Sequence, residues 1–87
     1  MSLDDATRNG YEHARILATG ETAGVQRLLM TTALYVGIER WGWRTRYCYG
    51  SRAEAEAALA AWDGHGDPPG EWVKQKPEER LNPNLKE

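Results

Sequence analysis

Cysteine and histidine are the side chains of this sequence with the widest chemistry. The single Cys48 and the two histidines, His13 and His65, are solitary and far apart, whereas a zinc site needs paired ligands at short spacing. A nucleophilic cysteine is recognised by a histidine beside it in space, but Cys48 falls inside a predicted strand, and free cysteine is usually a buried packing residue. We therefore predict no catalytic residue, no metal site and no cofactor. Of the three functions considered for this chain, an enzyme that uses Cys48 as its nucleophile is the least favoured.

A second group with possible chemistry is the segment WDGHGD, in which Asp63, His65 and Asp67 occupy the spacing of the first ligands of a calcium loop. The similarity ends there, because Pro68 stands where a calcium loop needs glycine, and Lys74 stands where it needs a bidentate glutamate. The segment is predicted to be a polar turn that follows a helix.

Arginine and aromatic residues are interleaved over residues 40–47. Flat rings and guanidinium groups are what proteins use to bind single-stranded nucleic acids. The candidate nucleic-acid contacts are Arg40, Trp41, Arg44 and Arg46. Strand alternation places Trp43 and Tyr47 on the face opposite Arg44 and Arg46, although stacking and phosphate contacts should converge. A strand with one aromatic face in the core and one charged face in water is therefore favoured.

These side chains must be positioned by a few elements. The segment WRTRYCY, residues 43–49, alternates cleanly and predicts a strand. Ser51 and Glu54 form a capping box before an Ala-rich run, which predicts a helix over about 52–62. Residues 11–18 are predicted to be a first strand. Residues 25–38 match helical and strand spacing equally, and their β-branched and aromatic content favours one long central strand, with helix as the alternative.

The fold predicted from these elements is α+β. About three antiparallel strands form a meander, one helix packs on one face, and an extended C-terminal segment follows. The domain prediction is a flexible N-terminus over residues 1–9, a single α+β domain over residues 10–73, and an extended or disordered tail over residues 74–87. The aromatic face and the apolar stripe of the helix must bury each other, so Trp62 is predicted to contact Tyr47 or Tyr49.

Composition limits the classes of function. The chain has 87 residues, 40% of them apolar, and a net charge of −2, which argues against wholesale nucleic-acid binding. It has no run of about 20 apolar residues, as a membrane span requires, and no signal-peptide pattern. We expect a cytoplasmic protein without membrane contact. Residues 25–50 carry a net charge of +3 and residues 51–73 one of −4, a division that suits association with a partner.

A lone helix covers one face of a three-stranded sheet, so the opposite face is expected to remain exposed. That face is predicted to carry apolar residues framed by arginine, a composition typical of protein contacts. The candidate interaction surface consists of Leu29, Thr31, Tyr35, Arg44 and Arg46. The helix stripe is thin for covering a whole sheet, and small domains often complete their core by association, so a homodimer is predicted. Coverage by the C-terminal segment, through Trp72 and Leu81, is the alternative.

The stretch RYCYGSRAEAEAALAAWDGHGDPPGEWVKQK resembles a group of small, uncharacterised proteins encoded by bacteriophages and prophages. The resemblance rests on the RYCY strand, the Ala-rich helix and a WDG-G-PPG-W-K segment, and covers residues 46–76. It implies a phage-related origin in a bacterial host and a sheet-plus-helix fold, and gives no residue a role. The predicted function is a non-enzymatic phage-type accessory or protein-interaction protein with an unknown protein partner. The alternative is a single-stranded nucleic-acid-binding module.

Overall fold

The computed structural model describes residues 3–40 and 42–75, which form five strands and two helices. In chain order these are α1 (Leu3–Arg8), β1 (Glu12–Ile16), β2 (Thr22–Arg27), β3 (Thr32–Val36), β4 (Thr45–Tyr49), α2 (Arg52–Ala61) and β5 (Val73–Gln75). Each strand pairs antiparallel with the next, so the sheet is a meander in the order β1-β2-β3-β4-β5. The α+β class is confirmed, but the prediction of about three strands and one helix is too low on both counts.

The long strand predicted over residues 25–38 is wrong, and so is its helical alternative. The chain reverses between Arg27 and Thr32, where the Leu28 N–H donates to the Thr31 carbonyl at 2.7 Å. The turn contains no Gly, Pro, Asn or Asp, the residues that normally mark a reversal. The alternation of apolar residues therefore continues through the turn, so the sequence pattern does not show where the chain reverses.

Strand β4 and helix α2 agree closely with the prediction. Thr45, Tyr47 and Tyr49 are buried on the side that faces α2. At the start of α2, the Ser51 hydroxyl accepts a hydrogen bond from the Glu54 N–H at 3.2 Å, which is the N-cap half of the predicted capping box. The helix ends at Ala61, one residue before the predicted end.

The main core lies between the sheet and α2. Its buried members are Leu17, Ala23, Val25, Leu34, Val36, Tyr47, Tyr49, Ala55, Ala58, Leu59 and Trp62. The Trp62 ring meets the Tyr47 ring edge-on, with centroids 5.7 Å apart, so the predicted core contact is confirmed. Trp72 packs against the same core from the segment before β5.

Both ends of the described chain carry elements that the sequence does not predict. Helix α1 lies inside the segment 1–9, and its Ala6 is fully buried. Strand β5 extends to Gln75, inside the predicted tail, and the rest of that tail, residues 76–87, lies outside the described residues. Neither α1 nor α2, the helices of the described part, is long and apolar enough to cross a membrane.

Candidate functional site

The face of the sheet opposite α2, here called the second face, is largely covered within the monomer. Ala33, Tyr35 and Ile38 are buried there in a second apolar cluster. Tyr35 is only 3% exposed, because the Tyr11 and Trp43 rings meet its ring edge-on, each with centroids 5.2 Å apart. The expectation that Tyr35 lies on an exposed face is therefore wrong.

The N-terminal segment supplies this cover because β2 has no side chain at position 24. A Cβ on Gly24 would lie 3.0 Å from the Cβ of Tyr11, so any larger residue would push Tyr11 away from the strand by a few tenths of an ångström. The Gln26 amide also donates to the Asn9 carbonyl at 3.4 Å. A glycine inside an alternating strand is a known signal of close approach by another segment, and Gly24 is the sequence signal that could have revealed this packing.

Arg46 and Trp43 lie together on the second face, contrary to the predicted separation of rings and arginines. The Arg46 guanidinium carbon lies 5.2 Å from the Trp43 ring centroid and 5.9 Å from that of Tyr35. Its Nε donates to Oε1 of Gln75 at 2.7 Å, and its Nη1 donates to the Tyr35 hydroxyl at 3.1 Å. Trp43 precedes β4, where strand alternation no longer determines which way a side chain points.

Arg44 is held at the end of the sheet by Glu21. Its Nε and Nη2 donate to the two carboxylate oxygens of Glu21 at 2.7 and 3.0 Å. The hydrogen bond from Arg44 lowers the pKa of Glu21, and the same bond raises the pKa of Arg44. The pair ties the β1–β2 turn to the start of β4. Arg44 therefore lies at the end of the sheet opposite Leu29.

The remaining candidate residues are separated from one another. Leu29 and Thr31 lie in the β2–β3 turn, at the end of the sheet opposite Arg44. Arg40 is exposed and lines a recess with Asp5, Arg8 and Asn9. Trp41 lies outside the described residues. The structure therefore brings together Tyr35 and Arg46 of the predicted interaction surface but not Leu29, Thr31 or Arg44. Of the predicted nucleic-acid contacts, Arg46 lies against aromatic rings, those of Trp43 and Tyr35.

The turn-rich segment after α2 satisfies the polar atoms of the core aromatics. The Tyr47 hydroxyl donates to Oδ1 of Asp67 at 3.0 Å, and the Tyr49 hydroxyl donates to the Pro69 carbonyl at 2.8 Å. Burial is the first cause that raises the pKa of each tyrosine to about 12. The indole N–H groups of Trp62 and Trp72 donate to the carbonyls of His65 and Pro68, at 3.1 and 2.8 Å.

The residues considered for metal or thiol chemistry each contact a different side chain; they are His13, His65 and Cys48. His13 pairs with Glu56 at 3.2 Å, and His65 pairs with Asp63 at 3.5 Å. Half-buried Cys48 lies on the second face, with its Sγ 3.9 Å from Oε1 of Gln75. Within residues 3–40 and 42–75, no three side chains of the His, Cys, Asp or Glu type lie close enough together to hold a metal ion.

Two neighbouring features at one end of the molecule stand out. The first is the hairpin tip, residues 28–30, where Leu29 is 95% exposed and Met30 is 84% exposed. The second is the α2 groove, a largely apolar depression of about 590 Å³ between α2 and the turn before β5. The groove is lined by Tyr49, Ala57, Ala58, Ala61, Pro69 and Gly70, together with the acids Glu54 and Glu71.

Comparisons of the chain with protein-family models, with curated proteins and with solved structures find no match of any of the three kinds.

Proposed function

We propose that this chain is a small non-enzymatic protein-interaction module, of the phage-accessory type, that binds its partner through the hairpin tip. The observation that carries the proposal is the exposure of Leu29 and Met30. Single apolar residues on a surface are common, but two adjacent large ones at the point of a hairpin present apolar area that association would bury. Burying a Leu or Met side chain contributes about 1.5–3 kcal/mol.

The two edges of the sheet are poorly suited to strand addition, which directs the partner to the hairpin tip. Strand β1 has an irregular register next to β2, and His13 within it has a φ of 56°. Within the described residues, which end at Gln75, strand β5 has three residues and the central one is Lys74. Bulges, short strands and lysine are the devices by which natural sheets discourage pairing at an edge.

The accessory character of the proposal rests on the resemblance of residues 46–76 to phage and prophage proteins. A bacterial cytoplasm is the compartment that we propose with it.

Site-specific cross-linking in a bacterial host tests the role of the hairpin tip. A benzophenone-bearing residue placed at Met30 should form protein adducts, and the same residue placed at Glu39, in the exposed turn at the other end of β3, should form few. Leu29→Ser in the Met30-labelled chain should reduce adduct yield by about fivefold or more, because truncating an interface anchor costs 1 kcal/mol or more. Equal yields at the two positions, or no effect of Leu29→Ser, would contradict the proposal.

Binding of single-stranded nucleic acid is a second candidate, favoured by the convergence of Arg46 and Trp43 on the second face. A half-buried indole beside a guanidinium group fixed by Gln75 and Tyr35 can stack on a base and contact its phosphate. The buried ring of Tyr35 and the pairing of Arg44 with Glu21 limit the size of such a site.

Fluorescence anisotropy with labelled oligo(dT) separates the two candidates. The protein-interaction proposal predicts no binding at micromolar protein concentration. Binding that weakens with salt, and that is lost in Arg46→Gln but retained in the control Arg8→Gln, would favour the nucleic-acid candidate.

A further inference from the structure

We infer that the α2 groove receives the hairpin tip of a second copy of this chain, so that two copies form a symmetric dimer with two identical contacts. The inference rests on the proposed function of the hairpin tip and names its partner. It differs from association through the second face, which Tyr11 and Trp43 already cover.

Charge complementarity supports a second copy as the occupant. Arg27 is exposed at the base of the hairpin tip, and Glu71 is exposed in the lining of the groove. Within the described residues, neither takes part in an ion pair. An apolar tip beside a cation thus matches an apolar groove beside an anion, and both features belong to the same molecule. Complementary charges at an interface fix its register and disfavour wrong partners.

The position of the two features is suited to a twofold axis. Thr32, which follows the hairpin tip, pairs across the sheet with Tyr49, which lines the groove. Gly50 and Ser51 lie between them and border the recess beside the hairpin tip. In a twofold dimer, residue i of one copy contacts residue j of the other, and j contacts i in return. An axis close to Ser51 would place each hairpin tip against the other copy's groove.

The groove is held open by contacts within the monomer, so little has to rearrange on binding. The Tyr49 hydroxyl donates to the Pro69 carbonyl at 2.8 Å, which fixes the wall opposite α2. A Cβ on Gly70 would lie 3.1 Å from Cε2 of Tyr49, so glycine lets that wall pack directly on the ring. The exposed helix residues Ala57 and Ala61 have small side chains that leave the space unfilled. The volume of the groove, about 590 Å³, falls within the range of natural binding pockets, roughly 300–1,000 Å³. The groove can therefore admit the side chains of both Leu29 and Met30.

Sedimentation velocity with paired charge reversals tests this geometry. The wild-type chain should show a concentration-dependent monomer–dimer equilibrium in the micromolar range, as expected for an interface at the small end of specific contacts. Arg27→Glu and Glu71→Lys should each weaken the dimer by about tenfold or more, because each reversal places like charges together at both symmetric contacts. The control Glu39→Lys, at the opposite end of β3, should leave the equilibrium unchanged.

Mixing the two reversed variants gives the decisive result. In a heterodimer of Arg27→Glu with Glu71→Lys, both contacts again join opposite charges, so the mixture should recover the dimer that each variant alone has lost. The double variant Leu29→Ser/Met30→Ser should remain monomeric. A monomeric wild type, or a dimer that responds to the single reversals but is not recovered by mixing, would overturn the inference. Cross-linking at Met30 to other proteins would still support the proposed function in that case, so the two can fail separately.

Discussion

Tyr47 holds the main core to the segment that follows α2, and its replacement should be the most damaging single change in the sheet. It is 2% exposed, and its ring meets those of Trp62 and Trp72 edge-on, with centroids 5.7 and 5.0 Å away. Large-to-small changes of a buried aromatic residue cost about 3–5 kcal/mol. Two edge-on ring contacts are lost as well, so we expect Tyr47→Ala to lower the free energy of unfolding by about 5 kcal/mol. The whole free energy of unfolding of a domain of this size is only about 4–13 kcal/mol.

The hydroxyl of Tyr47 can be separated from its ring. Tyr47→Phe keeps the ring contacts and removes the hydrogen bond to Asp67, whose carboxylate is 47% exposed and also pairs with Lys74 at 3.2 Å. Because Asp67 can still be satisfied by Lys74 and water, we expect a loss of only about 1 kcal/mol. In a cycle with Asp67→Ala, the coupling energy between the two positions should be about 1 kcal/mol.

Urea denaturation followed by tryptophan fluorescence measures the free energy of unfolding of Tyr47→Ala, Tyr47→Phe, Asp67→Ala and the double variant Tyr47→Phe/Asp67→Ala. A loss below about 2 kcal/mol in Tyr47→Ala would mean that the ring does not hold the core as described. A Phe variant as unstable as the Ala variant would assign the effect to the hydroxyl, and a coupling energy near zero would remove Asp67 as its partner.

Three further predictions use the same measurement. Ser51→Ala should cost about 1 kcal/mol, because it removes the acceptor for a backbone N–H at the start of α2; a change of a few tenths would mean that the helix is stabilised otherwise. Gly64→Ala should cost about 2 kcal/mol more than the control Gly20→Ala because of steric overlap. Both glycines have φ above 90°, so backbone strain is common to the two variants, but a Cβ at position 64 would lie 2.7 Å from the Thr19 hydroxyl, whereas one at position 20 meets nothing within 4 Å. Equal costs would show that the turn containing Thr19 moves to make room for the added methyl group. The free energy of unfolding should also fall as pH rises from about 10 to 12. Tyr47 and Tyr49 have pKa values of about 12 in the folded state and ordinary values near 10 in the unfolded state, so in this range the folded state retains protons that the unfolded state has released. Tyr49→Phe should reduce the fall, and a flat profile would contradict the burial of these hydroxyls.

The sequence alone is sufficient for the elements whose signals are local. Helix α2 follows from the capping box at Ser51 and the Ala-rich run after it, and β4 follows from alternation over a few residues. The contact between Trp62 and Tyr47 could be predicted because one apolar stripe and one ring face had to bury each other. In each case the cause lies within a few residues of its effect or follows from the need to bury apolar area.

The turn at residues 28–31 shows where local patterns fail. Its residues carry no turn signal, and the division into β2 and β3 is seen only in the pairing of Val25 with Leu34 and of Ala23 with Val36, which places these four residues in the core under α2. Leu29, Thr31 and Tyr35 of the candidate interaction surface were predicted to share one continuous strand, so the same error displaced Leu29 and Thr31 from the face on which they were expected.

Only the tertiary structure decides the outer elements and the cover of the second face. In the described part of the chain, helix α1 has six residues and β5 has three, lengths that are not stable in isolation. They form because β1 and β4 offer them a surface or an edge to pack against. The position of Tyr11 over Gly24, and of Trp43 beside Arg46, depends in the same way on residues distant in the chain. A sequence pattern states which side of its own strand a residue occupies, but what covers that side is decided by how the rest of the chain folds back on it.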